Sequence, residues 1–205
     1  MKKLYLNIDR ISIKGKPENL HQNVVHNMNQ FMKELISSTE EMGNTMKKYS
    51  WTNQGNQFQK AYQAVTKLSR VLYDAQENLF GVQIQFTYYI NKILKFEGSS
   101  KRVDPPRKLE KRVVKSNDVN AKKTEYILEE MIKLKNAIED YSRKVKKEST
   151  GLGGKVDDIG QQWTDPQYKA FKNMIEDVRL QISEGCKELS DYASYLKKII
   201  DELNK

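Results

Sequence analysis

The chain has 205 residues, with 36 Lys and Arg against 27 Asp and Glu, a formal balance of +9, and 38% apolar residues. Ten Gly and four Pro are too few for a turn-dense all-β fold, and one Cys excludes an intramolecular disulfide or a cysteine-based zinc site. With only two His besides, no metal and no other cofactor is expected.

Leu4, Leu6 and Ile8 alternate with polar residues, as a short strand does. A lone strand on a helical protein needs a partner edge, as in strand addition to a partner, or stays extended. Met1-Lys2-Lys3 resembles the basic end of a signal peptide, but Asn7, Asp9 and Arg10 interrupt any apolar core. No run approaches the roughly 18 apolar residues of a membrane span. The expectation is a cytoplasmic protein, or one exported by a specialised route.

A first helix opens after Pro17, with Met28, Leu35, Met42 and Tyr49 beside Val24, Phe31, Ser38 and Thr45. Ser50 to Asn56 breaks it. A second helix is predicted from about 54 to 96. Phe58, Val65, Leu72, Leu79, Phe86 and Ile93 recur every seventh residue, beside Ala61, Leu68, Ala75, Val82, Tyr89 and Phe96. It outruns the first helix, which suggests seam left over for a partner helix. Residues 98–117 hold a Pro pair and no periodicity, and read as a linker. Positions 101–115 carry seven basic and two acidic side chains, over half of the chain's excess charge. A third helix is predicted from about 118 to 149 on Ile127, Leu134, Tyr141, Met131, Ile138 and Val145. Gly151-Leu152-Gly153-Gly154 reads as its frayed end or a loop. Asp165 followed by Pro166 reads as the N-cap and first residue of a fourth helix, about 166 to 203. Ile175, Ile182, Leu189, Leu196 and Leu203 form one of its rows; Phe171, Val178, Gly185, Tyr192 and Ile199 form the other.

The expected fold is all-α: two tandem antiparallel helical hairpins of four long helices. Each hairpin stands as a coiled-coil-like pair, or both close into one four-helix bundle. The divisions are 1–97, the linker 98–117, and 118–205.

Each hairpin turn contains a Trp-Thr pair, at Trp51 and at Trp163. In Trp163-Thr164-Asp165-Pro166-Gln167-Tyr168-Lys169-Ala170-Phe171 an aromatic follows the Trp by eight residues. This resembles the WXG family of helical hairpins exported by type VII secretion systems, which carries Trp-x-Gly at the turn. Asp165 stands where the family has Gly. In the first half Asn53 does so, and Phe58 comes one residue early. The family's Tyr-x-x-x-acid export signal is absent after both Tyr192 and Tyr195. The resemblance implies a non-enzymatic protein that acts as secreted substrate, chaperone or adaptor by pairing with a helical partner or with itself. It places the partner contact at Trp51, Phe58, Trp163, Asp165 and Phe171. Trp51 and Trp163 equally suit plugs for the hairpin ends.

Two other readings remain open on the residues. Arg102, Arg107, Lys108, Lys111, Arg112 and Lys115 suit nucleic acid or an anionic membrane surface, though no aromatics are interleaved to stack bases. Alternatively, the chain is a structural coiled-coil spacer. No arrangement of Cys186, His21, His26 or paired carboxylates suggests catalysis.

Overall fold

The computed structural model describes residues 3–50, 55–115 and 127–205. Trp51 and the expected start of the third helix lie outside the described residues. The first rod comprises α1 (Pro17–His21), a π-helical stretch Gln22–Asn27, and α2 (Met28–Lys48). The junction residues His21, Gln22, Asn27 and Met28 are all right-handed helical, so the rod is continuous. Then follow α3 (Asn56–Phe96), α4 (Leu128–Gln162) and α5 (Gln167–Leu203). Among the described residues there is no strand, and the fold is all-α as expected.

The π-helical stretch has a local cause. Buried Gln83 of α3 donates its amide N–H to the carbonyls of Val24 and Val25, at 2.9 and 3.2 Å. The wider π turn leaves carbonyls free to accept.

The four long helices pack in a ring, α2 on α3, α3 on α5, α5 on α4, and α4 on α2. Neighbours run antiparallel. Phe58 meets Tyr192 and Phe86 meets Trp163 across α3 and α5. Thr39 meets Tyr141 and Phe31 meets Gly151 across α2 and α4. The order is up, down, down, up, with one long crossover between α3 and α4. Apolar side chains from both hairpins form one core cluster, including Leu35, Leu72, Leu134 and Leu189. The hairpins therefore close into a single bundle.

The heptad rows are interior over most of their length and fail at their ends. Phe96 is 92% exposed and Leu203 is 52% exposed, while Ile90, Leu94 and Ile200 are buried instead. A straight helix drifts about 20° per heptad from a strict seven-residue row, so after five heptads the buried stripe has moved to neighbouring positions. The same drift brings Cys186 and Ala193 inside.

The predicted break after residue 149 is corrected: α4 continues through Gly151, Gly153, Gly154 and Gly160 to Gln162. A Cβ on Gly151 would lie 2.6 Å from the Phe31 ring, and one on Gly160 would overlap the Tyr168 ring. These glycines let neighbouring helices approach, which outweighs their cost of about 1 kcal/mol each in a helix interior.

Candidate functional site

Trp163 ends α4 and is fully buried. Its ring packs against Phe86 of α3 and Phe171 of α5, with centroids 5.2 and 5.4 Å away, and against Tyr168 at 6.2 Å. A buried indole needs a partner for its N–H. It donates to Asp165 Oδ2 at 2.6 Å. Asp165 Oδ1 accepts the Gln167 backbone N–H at 2.8 Å and so caps α5, as the Asp-Pro pair predicts. Asp165 Oδ2 also accepts the Ser12 N–H at 2.8 Å. One carboxylate thus orients the indole, starts a helix and holds a distant segment.

That segment is the N-terminal piece. It stays extended on the bundle, and its backbone hydrogen bonds within the chain are made mostly to side chains. The Leu4 and Leu6 N–H groups donate to Asn78 Oδ1 and Gln85 Oε1 at 2.9 and 2.7 Å. The Gln167 amide takes both the N–H and the carbonyl of Asn7. Ile11 accepts from the Tyr89 hydroxyl at 2.9 Å. Beyond it, Thr164 donates to the Ser12 carbonyl at 2.9 Å and Lys14 to that of Gln162 at 2.7 Å, around an isolated antiparallel bridge of Ile13 with Trp163. Leu6 and Ile11 are buried, and Leu4, Ile8 and Ile13 pack partly against the core. The turn Ile8–Arg10 interrupts the extended run.

Of the residues tied to the Trp turn, Trp163, Asp165 and Phe171 come together. Phe58 lies at the opposite end of the bundle, fully buried, stacked on Tyr62 and edge-on to Tyr192. Phe58, Trp163 and Phe171 are core side chains. A partner meeting the Trp163 end meets Asp165, Thr164 and the N-terminal segment. Ser12, Tyr89 and Gln167 belong to this site and were missed. The available signal was Asn78 and Gln85, a polar row at seven-residue spacing directly beside the apolar seam.

The basic linker is the crossover, and it lies along α3. Val103 exchanges both backbone hydrogen bonds with the Asn91 amide, at 2.9 and 3.0 Å. Val114 donates to Ser69 Oγ, and the Lys115 carbonyl accepts from Tyr62, both at 3.0 Å. From Asn91 to Tyr62 is about 43 Å of helix, and residues 103–115 reach about 42 Å when fully extended. The crossover must therefore be stretched, which explains its lack of periodicity. Val103, Leu109 and Val114 pack on the core beneath it.

Its cations divide into two groups. Lys108 pairs with Glu77 at 3.0 Å, and that hydrogen bond holds the Glu77 carboxyl below its ordinary pKa. The Lys111 ammonium sits 4.5 Å from the Tyr73 ring centre. Arg112 pairs with Glu110 at 3.0 Å and with Glu40 at 3.8 Å. Among the described residues, Lys101, Arg102, Arg107 and Lys115 have no carboxylate within ion-pair distance.

The two groups with catalytic potential are buried and apart. His21 Nε2 lies 2.9 Å from Thr87 Oγ1, whose hydroxyl donates to the Gln83 carbonyl at 2.8 Å. That bond uses the threonine hydrogen, so the imidazole Nε2–H donates to Thr87. Burial and the neighbouring His26 lower its pKa to about 4. Cys186 lies on α5, and burial raises its thiol pKa. Among the described residues, no cluster of three His, Cys, Asp or Glu is placed to hold a metal ion, and no helix is long and apolar enough to cross a membrane.

No protein-family model, no curated protein and no solved structure matches the chain.

Proposed function

We propose that the chain is a non-enzymatic, WXG-like helical protein of a type VII-like bacterial secretion system, acting as substrate, chaperone or adaptor by pairing with a helical partner. The observation that carries this reading is the Trp163 turn. Trp163 and Phe171 eight positions on are the elements the resemblance picks out, and Asp165, standing where the family has Gly, starts the helix between them and holds the indole. The apolar seams are consumed within the bundle, so pairing uses outer faces. Leu180 on α5 and Tyr88 on α3 are each 62% exposed. The test is a crosslinking pull-down from the producing cell, with medium and cytosol analysed separately. Recovery from the medium, or with a larger helical protein bound, is expected. Recovery only with nucleic acid or membranes, or of the chain alone, would overturn it.

A further inference from the structure

An open groove of about 710 Å³ lies between the outer face of α3 near its C-terminal end and the start of the crossover. Its apolar floor is Ile84, Tyr88 and Pro105, and its rim carries Lys95, Lys101 and Arg102. Its volume falls in the range of sites that accept small ligands or single anchoring side chains.

The walls are built, not incidental. α3 ends in a turn where Gly98, at φ +75°, donates to the Lys95 carbonyl at 3.1 Å and Ser99 donates to the Leu94 carbonyl at 2.9 Å. This pattern closes a helix and fixes the exit direction of the chain. Five residues later the Asn91 amide pins Val103 on both sides. The segment between is held at both ends, with Lys101 and Arg102 on it.

Two features at this groove are unspent. Ile84 is 40% exposed although it lies within a long helix, and Tyr88 is more exposed still. Lys95, Lys101 and Arg102 have no ion-pair partner among the described residues, whereas Lys108 and Arg112 on the same crossover have carboxylates and Lys111 has an aromatic face. The fourth cation of the groove, Lys92, is already paired with Asp9 at 3.3 Å. Asp104 and Glu97 are the neighbouring acids in sequence, and neither is in an ion pair with Lys95, Lys101 or Arg102 among the described residues.

We infer that this groove binds an acidic segment of a partner protein, seating one bulky apolar side chain on Ile84 and Tyr88 between carboxylates held by Lys95, Lys101 and Arg102. A flat membrane suits a concave floor poorly. A nucleic-acid duplex gains from long unbroken rows of cations, and this row is interrupted where Lys108, Lys111 and Arg112 are already engaged. Charge steers the encounter and the apolar floor supplies the anchor. The groove shares Tyr88 with the outer faces named for partner pairing but uses no residue of the Trp163 turn that carries the proposed function, so failure of peptide binding leaves that function standing.

The test uses the full chain and a fluorescent peptide holding one leucine between runs of Asp and Glu. Binding is read by anisotropy. The double variant Lys95→Glu/Arg102→Glu should weaken it at least about tenfold, since two attractions become repulsions. The exposed double variant Lys147→Glu/Lys198→Glu, with the same charge change on the second hairpin, should leave binding within about twofold. Tyr88→Ser, and a peptide with serine in place of leucine, should each weaken it several-fold, by about the factor expected for one buried apolar side chain. Circular dichroism confirms that each variant stays folded, as surface positions allow. Absence of binding by the native chain overturns the proposal. So does equal loss in both charge variants, or indifference to Tyr88 and to the leucine. Binding of phosphatidylglycerol vesicles or duplex DNA, lost in Lys95→Glu/Arg102→Glu while the peptide fails to bind, overturns it in favour of an anionic surface.

Discussion

The two hairpins bury their seams by different means. In the second, α4 and α5 match closely at 35 and 37 residues, and a tight turn filled by Trp163 joins them. In the first, α3 has 41 residues and extended chain covers two rows of its outer face, the N-terminal segment one and the crossover the other, with Ile84 and Tyr88 left exposed. The covered rows carry Asn78, Gln85, Asn91 and Ser69, which supply hydrogen bonds to backbone with no strand to pair with. A helix that outruns its partner and shows amides at seven-residue spacing is thus a candidate dock for extended chain. The overhang of α3, which suggested a seam kept for a partner helix, is largely occupied by its own chain.

The sharpest way to break this comparison is to charge the shared core. Leu72 on α3 and Leu189 on α5 are fully buried, and Leu72→Asp or Leu189→Asp places an unpaired carboxylate there. Because the core is single, either variant should lose all helicity in one transition by circular dichroism. Retention of about half the helical signal would show that each hairpin stands alone.

Trp163→Ala should cost about 3–5 kcal/mol in urea denaturation, the usual range for removing a buried aromatic. It should also loosen the N-terminal segment, because the Asp165 oxygen that accepts from Ser12 loses the indole N–H that fixes it in place. Faster amide exchange at Leu6 and Ser12 is the expected sign; unchanged exchange would separate the turn from the segment.

The groups that set the bundle's pH response should also divide between the hairpins. His21 is neutral when folded, with its pKa lowered to about 4 from 6.5. The unfolded chain therefore takes up the proton first. Stability is full above pH 6.5 and declines as pH falls toward 4, by up to about 3 kcal/mol. His26 and Asp104 modulate this in opposite directions. In the second hairpin, burial raises the pKa of Tyr141 and Cys186, so the loss from these groups comes at alkaline pH. Stability measured at pH 4.5 and 7 should converge in His21→Gln; an unchanged difference would place the acid response elsewhere.

Smaller effects test the extended cover. Asn78→Ala and Gln85→Ala each remove one acceptor for a backbone N–H and should cost about 1 kcal/mol. The cost should be read as exchange at Leu4 and Leu6 rather than as loss of helix. Lys108→Ala, which removes a surface ion pair with Glu77, should leave the urea midpoint unchanged within error.

Much of the bundle is legible in the sequence, and what was hidden has physical reasons. The rows through Leu72, Leu79, Val178 and Leu189 are apolar at every turn, so helix type and inward face follow. The Trp163, Asp165 and Phe171 grouping is legible because its members are local and capping chemistry links them. Continuation of α4 past Gly151 was not, because a glycine's value there depends on Phe31 of another helix. Docking of residues 3–14 was not, because Asn78 and Gln85 look like any solvated face until an extended backbone is laid against them. Phe96 was misplaced because a strict heptad was projected beyond the point where a straight helix leaves it.

The N-terminal segment has a consequence for how the molecule is made. Its contacts with Gln167 and Asp165 span 160 and 153 positions of sequence. During synthesis residues 3–14 leave the ribosome long before the turn that closes over them exists. Pairings so distant form late and slow folding. Until α5 is nearly complete, the chain presents an extended segment with Leu6 and Ile11 uncovered. A chaperone that recognises short apolar stretches in open backbone has its opportunity in that interval, and loses it when Trp163 closes.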